Sequence, residues 1–289
     1  MTFIDFARAH GVEIDPNKLF ASEKIRRCGT VAKPRSDNGA FYWNGERGWV
    51  MDWSGDARVM WWQDPNAKPW SDEEKRAWHQ RRQQSQSEQE QRYEKAAVEA
   101  ESIVLQCTSE THPYLEHKGF SSDRGLVYDD RLIIPMRNVS TNRMQGYQEI
   151  FWDRDAYRFQ KKMLYGMRAK NAVFTIGSRD EKETWLCEGY ATGLSVRAGL
   201  RSVGSTASVI VTFSATNLLQ VHDQIPGQVF VFADNDESKT GQKTAEATGR
   251  PWTMADTVGW DANDLHQNSG VFAVAQKIMQ LKIALRDKR

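Results

Sequence analysis

Cysteine is scarce in this chain of 289 residues. The three cysteines, Cys28, Cys107 and Cys187, form no CxxC pair, so neither a disulfide framework nor a zinc ribbon is predicted. No zinc is expected, and free thiols are typical of a reducing compartment, which predicts a cytoplasmic protein. The sequence also lacks apolar runs of about 18 residues. The N-terminal apolar stretch contains acids and a histidine, so neither a secretion signal nor a membrane span is expected.

An excess of charge of either sign is absent as well. The 39 Lys and Arg residues are balanced by 38 Asp and Glu residues, which leaves a net charge of +1. Bulk charge therefore does not decide whether nucleic acid is bound, and any polyanion interface requires local segregation of charge. The 39% hydrophobic and 27% charged residues are typical of a folded globular chain. The length allows about two domains.

Residues 1–70 are predicted to form a small β-rich module after a short amphipathic helix around Phe3 and Phe6. Asn38-Gly39 and Asn44-Gly45 are typical of hairpin turns, and aromatic residues flank them. Seven of the eleven tryptophans lie before residue 80. Two interpretations stay open: the rings build a small core, or some of them stack on unpaired bases beside basic residues.

Residues 71–109 are predicted to form a helical spacer that links the domains. Ser71-Asp72-Glu73-Glu74 has the spacing of a capping box, in which Ser71 and Glu74 satisfy the first amides of a helix. The following sequence is polar on nearly every face until Tyr93. An apolar stripe from Ala96 to Val104 then predicts that only the C-terminal end of the helix docks.

Strands and helices alternate in the remainder of the chain. This alternation predicts an α/β fold with a mostly parallel sheet and flanking helices. Residues 271–289 have the pattern of a C-terminal amphipathic helix. The predicted strands lie in RLIIPMRN (131–138), MQGYQEIFW (144–152), ETWLCEG (183–189), QVFVFADND (228–236) and PWTMAD (251–256).

Charge is strongly segregated within this half. Residues 131–179 contain ten basic and three acidic residues, a net charge of +7, whereas residues 181–270 contain six basic and eleven acidic residues, a net charge of −5. A polyanion is attracted to the first segment and repelled by the second unless the acids hold divalent cations. Nucleic acid together with a metal ion satisfies both segments.

Acidic residues follow three of the predicted strands. Glu188 ends the first strand, Asp234 and Asp236 end the second, and Asp261 and Asp264 follow the third. A single Asp-x-Asp is most often a solvated turn or a helix cap. Three acidic clusters at the carboxyl ends of strands instead predict a shared site. Oxygen ligands without a nearby His or Cys favour a hard ion, Mg²⁺ or Mn²⁺.

The segments CEGYATGLS, FADND and DANDL resemble, in this order, the Toprim pattern of primases, topoisomerases and some nucleases. The preceding HPYLEHKGF, RLIIPMRNVSTNRMQGYQEIF and RFQKKMLYG are similar to the basic RNA-polymerase subdomain of bacterial and phage primases. The resemblance covers about residues 110–285. It implies a basic α+β subdomain at 110–180 and a Toprim catalytic domain at 181–289. The N-terminal module resembles the front end of phage and plasmid primase-like proteins in position and aromatic content.

Two departures from the family pattern stand out. Family members usually carry another aspartate four residues after the motif glutamate, where this chain has Thr192. This change weakens the coordination of one metal or shifts it to Asp261 and Asp264. Such primases also commonly begin with a four-ligand zinc ribbon, whereas the N-terminal segment here contains only Cys28 and His10 as candidate ligands of that kind.

The resemblance implies a DNA primase that makes short RNA primers on single-stranded DNA from nucleotide triphosphates, with a separate replicative helicase as partner. Glu188, Asp234 and Asp236 are the expected catalytic residues, and these three with Asp261 and Asp264 are the expected metal ligands. Lys161 and Lys162 are adjacent, and which of them matches the lysine of the family pattern stays open. The residues expected to bind template or nucleotide phosphates are Arg131, Arg137, Arg143, Arg158, Lys161, Lys162 and Lys170. The alternatives are a Toprim nuclease and a non-catalytic DNA-binding replication accessory protein.

Overall fold

The computed structural model describes residues 1–53, 58–69, 71–178 and 182–287, without the side chains of Glu23 and Glu74. The chain divides into two compact units, Met1–Arg82 and Gln83–Arg289. The finer borders expected at residues 70, 109 and 180 stay predictions. Trp70 and Arg179 of the sequence patterns lie outside the described residues. Within the described part of the chain, none of the helices combines the length and the apolar character that a membrane crossing requires.

The first unit contains a five-stranded antiparallel sheet and a short N-terminal helix, as the sequence pattern predicted, together with the first residues of a long helix that begins at Asp72. Its strands follow one another in sequence order. Helix α1 (Phe3–Ala9) packs its buried Phe3 against Phe41 and stacks it on Trp43, where the Phe3 and Trp43 ring centroids are 5.9 Å apart. Gly48 makes room for this ring, because a Cβ there would lie 2.7 Å from Phe3. The elements are α1 (Phe3–Ala9), β1 (Val12–Glu13), β2 (Ser22–Thr30), β3 (Gly39–Trp43), β4 (Arg47–Asp52) and β5 (Met60–Gln63).

One of the two predicted hairpin turns is confirmed and the other is wrong. Asn44-Gly45 lies in the tight connection between β3 and β4, where Gly45 adopts a positive φ of 106°. Asn38-Gly39 does not form a turn, because residues 31–38 are a longer loop and Gly39 begins β3. Glycine is needed there for close strand contact, since a Cβ would lie 2.4 Å from the Gly29 carbonyl oxygen.

The predicted spacer is helix α2 (Asp72–Gln106). Its start directly after Ser71 agrees with the predicted N-terminus, although the Glu74 side chain of the capping box lies outside the described atoms. Docking through the C-terminal end is confirmed within the second unit. Ala100 is fully buried in a cluster with Ile133, Met144 and Tyr147.

The second unit contains a ten-stranded mixed sheet. Its spatial order is β10-β9-β8-β11-β13-β12-β14-β15, with β7 paired to β8 and β6 paired to β7. The strands β13, β12, β14 and β15 are mutually parallel, and the other pairs are antiparallel. The elements are β6 (Thr108–Glu110), α3 (Pro113–His117), β7 (Gly125–Tyr128), β8 (Arg131–Asn138), β9 (Met144–Asp153), β10 (Arg158–Met163), β11 (Ala172–Ile176), β12 (Glu183–Cys187), α4 (Tyr190–Ser202), β13 (Ser208–Val211), α5 (Ala215–Val221), β14 (Gln228–Ala233), α6 (Thr240–Ala247), β15 (Trp252–Met254), α7 (Ala262–Ser269) and α8 (Val271–Arg286).

Helices cover both faces of the parallel strands. On one face Trp185 and Phe230 stack at 4.8 Å within a core completed by α4, α7 and α8. On the other face Leu186 and Val231 pack against α5 and α6. Burial on both faces explains why these strands are continuous apolar runs. The α/β fold with a parallel sheet and flanking helices is therefore confirmed.

Candidate active site

Glu188 and Asp234 lie directly beyond the carboxyl ends of the neighbouring parallel strands β12 and β14. The loop after β14 is joined to the loop after β15 by a bridge between Asn235 and Trp260. The Asn235 amide side chain also donates to the Ala255 carbonyl oxygen at 3.0 Å. The bridge places Asp261 beside the end of β14, so the three acidic clusters form one neighbourhood.

Asp234 is the carboxylate at the centre of this neighbourhood. Its Oδ1 is buried and, among the described residues, has no hydrogen-bond partner. Burial, followed by the nearby charges of Asp261, Glu188, Asp236 and Asp264, raises the pKa of Asp234 to about 7. A desolvated carboxylate among like charges is one whose ionised form a cation would stabilise.

Glu188 is also close to these negative charges. Burial first, and then the charge of Asp236, raises the pKa of Glu188, while a hydrogen bond from the Ala215 N–H at the start of α5 opposes the rise. The backbone after β13 is held against the end of β12, because the Phe213 N–H donates to the Glu188 carbonyl oxygen at 3.0 Å. The backbone of Glu188 is thereby fixed at the carboxyl end of β12.

Asp236 is occupied with the N-terminus of α6. Its Oδ2 accepts the Gly241 N–H at 2.8 Å, and its Oδ1 accepts the Ser238 hydroxyl and the Thr240 N–H. Partial burial raises the pKa of Asp236, but the hydrogen bonds outweigh it and hold the pKa at about 2. Asp236 is therefore a helix-capping residue as well as a member of the acidic cluster.

Asp261 and Asp264 form a capping box at the start of α7. Asp261 Oδ1 accepts the N–H groups of Asn263 and Asp264 at 2.6 and 2.9 Å. Its Oδ2 accepts the hydroxyl of the buried Thr192 at 2.8 Å. Thr192, which stands where the family pattern has an acid, thus orients Asp261 and supplies no negative charge.

These contacts indicate which acids suit a hard cation. Over the described residues, no group of three His, Cys, Asp or Glu side chains is already arranged to hold a metal. The unpartnered Oδ1 of Asp234 and the partly buried Glu188 fit Mg²⁺ or Mn²⁺ by donor type. The ligand roles of the other three acids stay a prediction, because Asp236 and Asp261 already accept hydrogen bonds on both oxygens and Asp264 Oδ2 accepts the Asp261 N–H.

The adjacent Lys161 and Lys162 on β10 point to opposite faces of the sheet, as neighbours on a strand do. The Lys161 ammonium lies 5.6 Å from the ring centre of the buried Tyr114. Local burial and Lys118 lower the pKa of Lys161, and the charges of Asp261 and Asp234 oppose this effect. Lys161 pairs with Ile150, whose face of the sheet packs against Tyr190 just after Glu188, so Lys161 lies on the side of the acids. The Lys162 ammonium lies on the other face, 5.1 Å from the ring centre of Phe151.

Lys118 is a basic residue near the site that the sequence reasoning missed. The turn that carries it is attached to α7, because Asn263 Nδ2 donates to the Lys118 carbonyl oxygen at 2.9 Å and Gln267 Nε2 donates to the His117 carbonyl oxygen at 2.7 Å. The proximity of α3 to α7 is a tertiary feature. The available sequence signal was the basic residue in HPYLEHKGF.

The other five residues predicted to bind phosphates are spread over the sheet and its connecting turns. Arg131 forms an ion pair with Glu149 at 2.5 Å and lies beside Phe151, on the Lys162 side. Arg137 donates to the Asn142 carbonyl oxygen at 3.2 Å. The others are the exposed Arg158 on β10, Arg143 in a groove beside α2, and the exposed Lys170 in the turn before β11.

Comparison with known protein families gives a match over part of the chain. Residues 183–271, which include all five acids, match the Toprim domain. A solved structure described as the DnaG catalytic core is similar over 52% of each chain, at 16% sequence identity and a TM-score of 0.36. The chain thus spans about half the length of that protein. Comparison with curated proteins gives no match.

Proposed function

We propose that this chain, which carries a Toprim domain at residues 183–271, is a primase-like nucleotidyltransferase that makes short RNA primers on single-stranded DNA. The observation that carries the proposal is the buried, unpartnered oxygen of Asp234 amid four other carboxylates. Lys161 faces this cluster from the basic subdomain. An anionic metal-binding site beside a cation suits a metal–triphosphate complex.

Each residue has a separate role in this proposal. Asp234 and Glu188 bind the cation, which when present neutralises charge on the triphosphate and the transferred phosphoryl group. Asp236 and Asp261 orient α6 and α7 and add negative potential. Lys161 binds the triphosphate oxygens.

The surroundings of Lys161 also support a role for this residue in positioning nucleotide or template phosphates. Lys161 is exposed to solvent, so a phosphate can reach its ammonium, and a cation beside low-dielectric protein interacts more strongly with a phosphate than one in bulk water. Asp234 and Asp261 stabilise its charged form. The site therefore presents both signs of charge, as transfer of a nucleotide to a 3′-hydroxyl requires.

A primer-synthesis assay tests the proposal. The protein is incubated with circular single-stranded DNA, labelled ribonucleotide triphosphates and Mg²⁺, and products are separated on a denaturing gel. Short oligonucleotides are expected from the wild type and from Asp223→Asn, a control for an exposed acid that pairs with Arg250. No products are expected from Asp234→Asn.

Other outcomes contradict the proposal in distinct ways. Shortening of linear single-stranded DNA without nucleotides, abolished by Asp234→Asn, identifies a Toprim nuclease. Binding of DNA without synthesis or cleavage, unchanged in Asp234→Asn, identifies an accessory protein.

A further inference from the structure

The sheet of the Met1–Arg82 unit has two aromatic faces. On the inner face Phe41, Val50 and Met60 pair across three strands and pack into the core beneath α1. On the outer face Tyr42, Trp49 and Trp61 are directly paired across β3, β4 and β5. We name these last three residues the outer row. Direct pairing places their side chains on one face.

The outer row is accessible to solvent at its edge. Trp61 is 68% exposed, and Trp49 is only partly buried. A cleft of about 370 Å³ lies beside the row, lined by Tyr42, Trp61 and Trp78. Trp61 is continuous with the partly buried rings of Trp49 and Tyr42, and a contiguous exposed apolar patch beside a cleft, unlike a single exposed ring, indicates a binding surface.

Three arginines lie beside the cleft or beside a neighbouring tryptophan. The Arg47 side chain lines the cleft, and the Arg82 guanidinium carbon is 5.4 Å from the Trp78 ring centre. Arg27 pairs with Ala40 and so shares the outer face with Tyr42, and its guanidinium carbon is 5.2 Å from the ring centre of Trp53. Flat apolar rings flanked by guanidinium groups match a ligand that has flat bases and a phosphate backbone.

We propose that the outer row is a metal-independent binding platform for single-stranded nucleic acid, on which unpaired bases stack on Trp61 and its neighbours. Adjacent strands are about 4.8 Å apart, so the row is wide enough for two or three bases. The amide side chains of Asn44 and Gln63 also line the cleft and can hydrogen-bond to base edges. This site does not depend on catalysis by the Toprim domain.

The platform is tested by binding of a fluorescein-labelled oligothymidylate of 20 nucleotides, followed by polarisation with the full chain in EDTA. Trp61→Ala is expected to weaken binding about 10-fold through loss of one stacked base. Trp61→Phe retains a ring and is expected to bind within about 3-fold of the wild type. The matched control is Phe20→Ala, because Phe20 is 62% exposed and stacks on Arg26, outside the outer row.

Intrinsic fluorescence provides a second readout that does not require the alanine variant to fold. Bound oligothymidylate is expected to quench tryptophan emission in the wild type and to quench it less in Trp61→Phe. The proposal is overturned if duplex DNA binds as tightly, if Trp61→Ala binds like Phe20→Ala, or if a proline-rich peptide rather than DNA causes the quenching. If the wild type binds oligothymidylate through the outer row but makes no primers, only the catalytic proposal is refuted.

Discussion

Replacing Asp234 by asparagine is expected to stabilise the second unit at pH 8 while it removes metal affinity. In the wild type this carboxyl is buried among like charges, which raises its pKa to about 7. Asparagine has nearly the same shape and no charge. The substitution therefore relieves the repulsion without leaving a cavity.

The sign and size of the effect follow from proton linkage. Below pH 3.8 the carboxyl is protonated in both the folded and the unfolded chain, so the substitution has little effect. Between pH 3.8 and about 7 the unfolded chain releases the proton and the folded chain retains it, so wild-type stability falls as pH rises. Because each pKa unit is worth 1.36 kcal/mol, the loss above pH 7 amounts to about 4 kcal/mol at most.

Thermal unfolding of the full chain in EDTA at pH 4 and pH 8 measures this difference. The Asp234→Asn variant is expected to unfold about 10 °C higher than the wild type at pH 8, and close to it at pH 4. Added Mg²⁺ is expected to raise the transition temperature of the wild type only, because the ion binds the folded carboxylate. The proposal that the buried Asp234 is a metal ligand would be refuted if the Asn variant were less stable than the wild type at pH 8, or if Mg²⁺ stabilised both proteins equally.

Four further substitutions have expected outcomes. Lys161→Ala should lower the primer-synthesis rate at least 10-fold while the adjacent Lys162→Ala stays within about 2-fold, because only Lys161 faces the acids; equal effects would contradict this. Asp236→Ala should lower unfolding stability by about 1–2 kcal/mol in EDTA through loss of the α6 cap, as measured by urea denaturation. Asn263→Ala should cost about 2 kcal/mol in the same assay, since a fully buried amide joins Lys118 to α7; an unchanged midpoint would show that this link is dispensable.

Much of the second unit could be predicted from its sequence. The apolar runs before Glu188 and Asp234 are strands β12 and β14, and the alternation with helices gives the parallel sheet. The matched Toprim domain confirms the resemblance that these segments carry. Such runs are recognisable because strands buried on both faces have no polar alternation.

Several elements escaped prediction because their local signals are weak. Strand β13 (Ser208–Val211) has only four residues, and its position between β11 and β12 depends on long-range pairing. The pair Asn38-Gly39 resembles a tight turn, yet the glycine there serves close strand contact. A local pattern cannot distinguish these uses of glycine, since the neighbouring backbone comes from a distant part of the chain.

The sequence by itself determined the residue types of the site: acids after buried strands, a basic segment before them, and a surplus of tryptophans near the N-terminus. Only the tertiary structure decided which groups are available. It joined Thr192 to Asp261, left one oxygen of Asp234 unpartnered, turned Lys161 toward the acids and left Trp61 in solvent. The physical reason is that burial, hydrogen bonding and charge proximity arise between residues far apart in the chain, whereas composition and periodicity report only on neighbours.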